Sequence, residues 1–280
     1  MPRRTQAEME VIRTAIIEAV RKDKPMTVRQ VFYRLVVRGV VPKVEGRGYR
    51  TVARELRNMR RDGVIPYDWI VDSSRTVRRP LQYGSMEEAL ERAARLYRRN
   101  LWGDLPHYVQ VWMEKEALAG VAWDVTDGLG VSLWVARGYS SISYLYEAAQ
   151  HINRALEAGK VAYIYNLGDH DPSGCDAWES VVSELQGFSI DDRRMRFKRA
   201  AVTPEQIRRL NLPSRPTKKT DSRAAGFEGE SVELDALPPN TLRQIIRDTI
   251  EAHIPEYIRT MHEQVEQQER QTLWQLQDYL

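Results

Sequence analysis

Between residues 105 and 202 strand-like and helical segments alternate, and this alternation constrains the fold more than any other feature of the chain. Runs of β-branched and aromatic residues at 108–113 (Tyr-Val-Gln-Val-Trp-Met), 131–135, 161–165 and about 195–202 are separated by helical patterns near 116–127, 141–157 and 174–186. Strands joined through helices lie parallel in one sheet whose faces the helices cover, so the expected fold class is α/β. The helix at 141–157 shows its expected buried face in Ile142, Leu145, Ala149, Ile152 and Leu156. Parallel strands all finish on one edge, and side chains just past their ends share the crevice where open α/β sheets bind ligands.

Three carboxylates stand at that edge. Tyr165-Asn-Leu-Gly-Asp169-His-Asp171-Pro-Ser-Gly174 places two of them one residue apart beyond a strand, and Val111-Trp-Met-Glu114 ends another strand with the third. Glu114, Asp169 and Asp171 are the oxygen donors that a hard cation such as Mg²⁺ takes. Pro172 and Gly174 fix the loop and open the next helix. Taken alone, an Asp-X-Asp-Pro turn is equally explained by helix capping. Arg137, with Gly138, Tyr139 and Ser140, follows the second strand at the same edge. It can meet a phosphate there, although an ordinary turn explains these residues nearly as well.

Ahead of the sheet the chain has a different character. Residues 6–22 carry an apolar stripe (Met9, Ile12, Ile16, Ile17, Val20), Thr27 can cap a second helix through about Arg38, and a third runs from about Arg50 to Asp62. Three short helices followed by the strand-like Val64-Ile-Pro-Tyr-Asp-Trp-Ile-Val71 suggest a winged helix-turn-helix. On the third helix Arg50, Arg54, Arg57 and Arg61 recur at helical spacing along one face, offset only by Glu55 and Asp62, as a stripe that tracks the phosphates of double-stranded DNA. The alternative is a solvated helix face. On the second helix Tyr33 falls at the margin of the apolar stripe, where its hydroxyl can be exposed, and Arg29 precedes it by one turn. A guanidinium so placed can approach both the phenolic oxygen and a bound phosphate, whereas an isolated tyrosine is ordinarily packing.

The charge follows the same division. Residues 1–100 hold 23 Lys and Arg against 12 Asp and Glu, and residues 101–280 hold 19 against 27, so a net charge of +3 hides a basic first third and an acidic remainder. A polyanion suits the first and a cation the second. A single cysteine, Cys175, excludes an intramolecular disulfide and a multi-cysteine zinc site. No apolar run approaches the roughly 18 residues that span a bilayer, so the expected location is cytoplasmic, or nucleoid-associated, with no membrane partner.

Four parts are expected: a winged-helix unit over 1–84, a helical linker over 85–104 capped by Ser85, the parallel-sheet domain over 105–202, and a C-terminal loop and helical extension over 203–280. In the polar stretch after Pro213, Lys218, Lys219 and Arg223 are candidates to grip nucleic acid, with a solvated loop as the alternative. The acids of Glu230-Ser-Val-Glu233-Leu-Asp235 could add a metal ligand. The helical tail, broken at Pro255, carries an apolar stripe (Ile258, Met261, Val265, Leu273, Leu276, Leu280) that can dock on its own chain or on another.

These residues together resemble a known family, the A subunit of topoisomerase VI and its relative, the transesterase that makes meiotic double-strand breaks. Arg29-Gln-Val-Phe-Tyr33 looks like the family's Arg-x-x-aromatic-Tyr motif, Met113-Glu114-Lys115 like its Glu-Lys strand end, and Asp169-His-Asp171-Pro-Ser-Gly174 like its Asp-x-Asp-Pro-x-Gly. The similarity covers about residues 25–200, in the family's order. It implies a winged-helix domain joined to a Toprim domain, with Tyr33 as nucleophile forming a 5′-phosphotyrosyl link, Arg29 assisting, and Glu114, Asp169 and Asp171 holding Mg²⁺. It further implies a homodimer in which tyrosine and metal site come from different protomers. The chain is shorter than is usual for the family and shows no Gly-rich nucleotide motif, so strand passage would need a separate ATPase subunit. The alternatives are a Toprim hydrolytic nuclease without a covalent intermediate and a non-catalytic DNA-binding protein.

Overall fold

The computed structural model describes residues 5–44, 48–71, 80–136, 138, 140–216, 227 and 230–277. Arg137, Tyr139, Lys218, Lys219, Arg223 and Leu280, singled out above, lie outside them.

Three helices come first: α1 (Gln6–Asp23), α2 (Val28–Val37) and α3 (Arg50–Arg61). Both α1 and α2 start in a capping box. Thr5 and Thr27 accept the amides of Glu8 and Gln30, whose side chains return to the cap amides, so two otherwise orphaned N–H groups are satisfied at each end. The strand expected over 64–71 does not form. Pro66 withholds an amide, Tyr67–Trp69 make a 3₁₀ turn, and a lone parallel bridge between Met26 and Ile70 ties the segment down.

After α4 (Met86–Leu96), capped by Ser85, come β1 (His107–Met113), α5 (Ala119–Thr126), β2 (Ser132–Val135), α6 (Ile142–Glu157), β3 (Val161–Leu167), α7 (Pro172–Gly187) and β4 (Met195–Ala201). The four strands form one parallel sheet in the order β2-β1-β3-β4. The chain runs outward from β1 to β2 and then crosses back to β3, so the topological switch point lies between β1 and β3.

Side chains alternate across the sheet. Val109, Val111, Met113, Tyr165 and Leu167 face a core shared with α5 and with α9 (Pro239–Glu251), whose Leu242, Ile246 and Ile250 are fully buried. Trp112, Ala162 and Ile164 face α6 and α7, where the rings of Trp112 and Trp134 stack at 5.6 Å. On α6, Leu145, Ala149, Ile152 and Leu156 are buried as expected, whereas Ile142 in its first turn is 57% exposed.

The first core does not stop at the sheet. Ile12, Ile16, Val20, Val31, Leu35, Val52, Leu56 and Ile65 belong to the same cluster, so α1–α3 and one face of the sheet bury each other, with α9 packed between α5 and β4. After the short α8 (Pro204–Arg209), the tail helix α10 (Glu256–Gln277) docks on its own chain, against α4. The expected stripe is engaged in part: Ile258 packs against the core and Val265 and Leu273 are half-buried, whereas Met261 and Leu276 are exposed; Tyr97 also donates to Glu269 at 2.8 Å and Arg99 pairs with the same carboxylate at 2.6 Å. No helix among the described residues is long and apolar enough to cross a membrane.

Candidate functional site

At the switch point, Lys115 is the centre of a charged cluster. Its ammonium lies 2.6 Å from Asp235, 3.1 Å from Asp169 and 3.1 Å from Glu233. Arg29 reaches the same group from α2, with Nη2 2.8 Å from Glu233 Oε2 and Nε 3.7 Å from Asp235. Arg215 closes the far side, 3.3 Å from Glu233 Oε1 and 3.9 Å from Asp171. The cluster lines an open cleft of about 430 Å³.

Backbone pairing sets this geometry. His170 bridges Val232 and Arg215 bridges Ser231, each as a single antiparallel pair, and Asp169 Oδ1 accepts the Leu234 amide at 2.7 Å. Val232 and Leu234 are buried in the shared core, which leaves the intervening Glu233 facing the cleft. A 3₁₀ turn over Leu234–Ala236 then brings Asp235, 1% exposed, beneath Lys115.

The electrostatics favour the charged forms of Glu233, Lys115 and Arg29, whereas burial raises the Asp169 carboxyl. Burial opposes the Glu233 charge, but Lys115 and Arg29, with hydrogen bonds from Lys115 and Tyr33, hold its carboxyl down to about 2. Burial would strip Lys115 and Arg29 of their protons, yet the surrounding carboxylates raise both well above their ordinary values. Removing Lys115 would strand buried carboxylates, a loss on the order of 3–5 kcal/mol.

Tyr33 belongs to this cluster. It is 4% exposed, against the expectation of an open hydroxyl, and its ring packs edge-on to Phe32 at 5.3 Å within the core. Its hydroxyl donates to Glu233. Burial and then the Glu233 charge push the phenol above its usual value, with Arg29 and Lys115 pulling the other way. Arg29 and Asp169 thus line one cleft within one chain, with Tyr33 buried behind Glu233 at its wall, where the family resemblance implies a tyrosine supplied by the other protomer.

The three expected metal ligands are neighbours but do not point at a common centre. Among the described residues no group of three or more carboxylates, histidines or cysteines is arranged to hold an ion. Glu114 follows Met113 by one residue and turns to the α6–α7 face, into a cavity of about 20 Å³ with Trp112, Asn166 and Trp178. Asp169 follows Leu167 by two and turns to the opposite face. Burial, then the charges of Asp169 and Asp171, raise the Glu114 carboxyl. Asp171 caps α7: its Oδ1 accepts the Gly174 amide at 2.7 Å and the Ser173 hydroxyl at 2.9 Å. A Cβ on Gly174 would sit 2.7 Å from the Asp169 carbonyl oxygen, so the turn admits only glycine.

The donor chemistry fits a hard cation in part. Mg²⁺ commonly takes one or two protein carboxylates and completes its shell with water and substrate phosphate. Glu114, with no side-chain partner among the described residues, and Asp171 Oδ2, held only loosely by Arg215 at 3.9 Å, meet that need, whereas both oxygens of Asp169 are taken.

On α3 the side chains of Arg50, Arg54, Arg57 and Arg61 are exposed along one face. Arg54 pairs with the buried Glu55, which also holds Arg13. Arg199, not anticipated from sequence, donates to the carbonyls of Gly168 and Asp169 at 2.9 and 3.2 Å and fixes the acidic loop. Lys43 donates to the carbonyls of Pro213 and Ser214, 5.7 Å from the Tyr33 ring. Their signal in the sequence is weak: a cation in a loop or on an edge strand resembles any solvated charge. Compared with protein-family models, curated proteins and solved structures, the chain matches none of them.

Proposed function

We propose that this protein cleaves DNA by transesterification at Tyr33, assisted by Mg²⁺, in the manner of the A subunit of topoisomerase VI. One observation carries the reading: Arg29, Lys115 and Asp169 of the acidic loop line one cleft at the switch point of a parallel sheet, and the buried Tyr33 hydroxyl is joined to it through Glu233. In this reading the three N-terminal helices serve as a winged-helix module whose α3 arginines track the duplex, and the sheet serves as a Toprim domain. Tyr33 Oη attacks the phosphorus, the bond from phosphorus to O3′ breaks, the phenolic proton leaves and the departing oxygen gains one. A phosphodiester replaces a phosphodiester, so the break can be resealed without outside energy. Glu114 and Asp171 would hold the cation, which when bound neutralises charge on the scissile phosphate and the leaving oxygen. Arg29 and Lys115 orient that phosphate and offset its charge. A homodimer would place one cut on each strand, and strand passage would call for a separate ATPase subunit.

The buried, raised Tyr33 phenol favours a second reading, metal-assisted hydrolysis in which Tyr33 only packs. Incubation with supercoiled DNA and Mg²⁺, quenched with detergent with and without protease, separates them. Transesterification predicts breaks that stay protein-linked until protease is added; hydrolysis predicts free ends; no breaks in Mg²⁺ would remove both.

A further inference from the structure

Glu233 has the surroundings of a phosphate. Its Oε2 receives Arg29 through Nε at 3.1 Å and Nη2 at 2.8 Å and Lys115 Nζ at 3.1 Å, its Oε1 faces Arg215 Nη1 at 3.3 Å, and it accepts the Tyr33 hydroxyl. Three cations from three parts of the chain and a candidate nucleophile converge on one carboxylate at the wall of an open cleft. The same cations also hold Asp235, Asp169 and Asp171, and an arginine fork that takes a carboxylate oxygen takes a phosphate oxygen in the same geometry.

We infer that Arg29, Lys115 and Arg215 form a phosphodiester-binding site that the side chain of Glu233 fills until nucleic acid displaces it. This deepens the transesterase reading and rests on it for the identity of the ligand. The charge balance favours the exchange, since one carboxylate and one phosphodiester each carry a single negative charge. The cations would hold their places when Glu233 leaves. Arg29 and Lys115 keep Asp235 as a second anchor, and Arg215 keeps Asp171. The backbone need not move either, because Val232 and Leu234 stay buried and paired while only the side chain between them swings out. Glu233 then excludes adventitious anions from the cleft and holds Tyr33 protonated until a phosphate arrives.

The test uses the full chain with inorganic phosphate as probe, by calorimetry and thermal unfolding. Glu233→Gln should bind phosphate at least about tenfold more tightly than the unaltered protein. Adding Arg29→Gln should abolish that gain. Duplex DNA should bind the single variant with a steeper salt dependence, by about one phosphate contact. Phosphate binding equal to or weaker than that of the unaltered protein overturns the inference. If Glu233→Gln does not fold, Glu233→Ala is compared in the same way. Folding of the variants only in phosphate supports the site, and no folding in phosphate overturns it. Phosphate binding needs no cleavage, so a gain without protein-linked breaks keeps this site and removes the transesterase reading. Protein-linked breaks without a gain do the reverse.

Discussion

Glu114 lies one residue beyond the end of β1 and Asp169 two beyond the end of β3, and because Met113 pairs with Leu167 this difference of one decides which face each carboxylate serves. Lys115 and Asp169 have the same parity and meet; Glu114 has the opposite parity and faces α6 and α7. Single residues also set the response to acid. His253 accepts from or donates to the Tyr165 hydroxyl at 2.7 Å, against the rings of Tyr163 and His107. Burial, then His107 and Lys198, lower it to about 4. Folding therefore favours the neutral ring. The stability it contributes is complete above the unfolded value near 6.5 and is lost as pH falls from there to about 4. In thermal unfolding across that window, His253→Gln, which can keep the bond to Tyr165, should lose less stability than the unaltered protein; equal losses would contradict the assignment. Of the residue-level picture, the positions of Glu114, Asp169 and Asp171 just past strand ends, and of Arg29 and Tyr33 one turn apart on a helix, were legible in the sequence. Their facing was not, since a strand's last paired residue is uncertain by one or two positions and a shift of one reverses the face.

At the scale of elements, Asp171 has two candidate duties, as the cap of α7 and as a cation ligand, and a substitution can separate them. Asn caps a helix about as well as Asp but brings no charge. Asp171→Asn should therefore leave the thermal midpoint nearly unchanged, within about 0.5 kcal/mol, while Mg²⁺-dependent cleavage falls at least about tenfold. Asp171→Ala should add the loss of the cap, about 1 kcal/mol. Cleavage unaffected in Asp171→Asn would leave capping as the residue's role. The elements themselves were largely legible: helix periodicity, Thr27, Ser85 and Pro255 marked their ends within one or two residues. The segment at 64–71 misled because its β-branched and aromatic residues satisfy strand preference, while a strand also needs a neighbour along its length and here finds a single bridge.

At the scale of the whole molecule, the C-terminal segment expected as an extension is structural. Residues 231–236 wall the cleft and α9 fills the core that α1–α3 share with the sheet. Such tertiary use of a distant segment has no local signature, so Glu233 and Asp235 could be noticed in the sequence as acids but not placed. A continuous core predicts one cooperative transition, with Ile246→Ala costing about 2–5 kcal/mol and lowering that transition as a whole; two separated transitions in calorimetry would show independent units. The claim on which the molecule's function rests is that the Tyr33 oxygen attacks DNA. After a detergent quench in Mg²⁺ and nuclease digestion of the bound DNA, mass spectrometry of the peptides tests it most directly. The account predicts a nucleotide phosphate on Tyr33 and no adduct in Tyr33→Phe, whereas an adduct on any other residue, or one that persists in Tyr33→Phe, would contradict it.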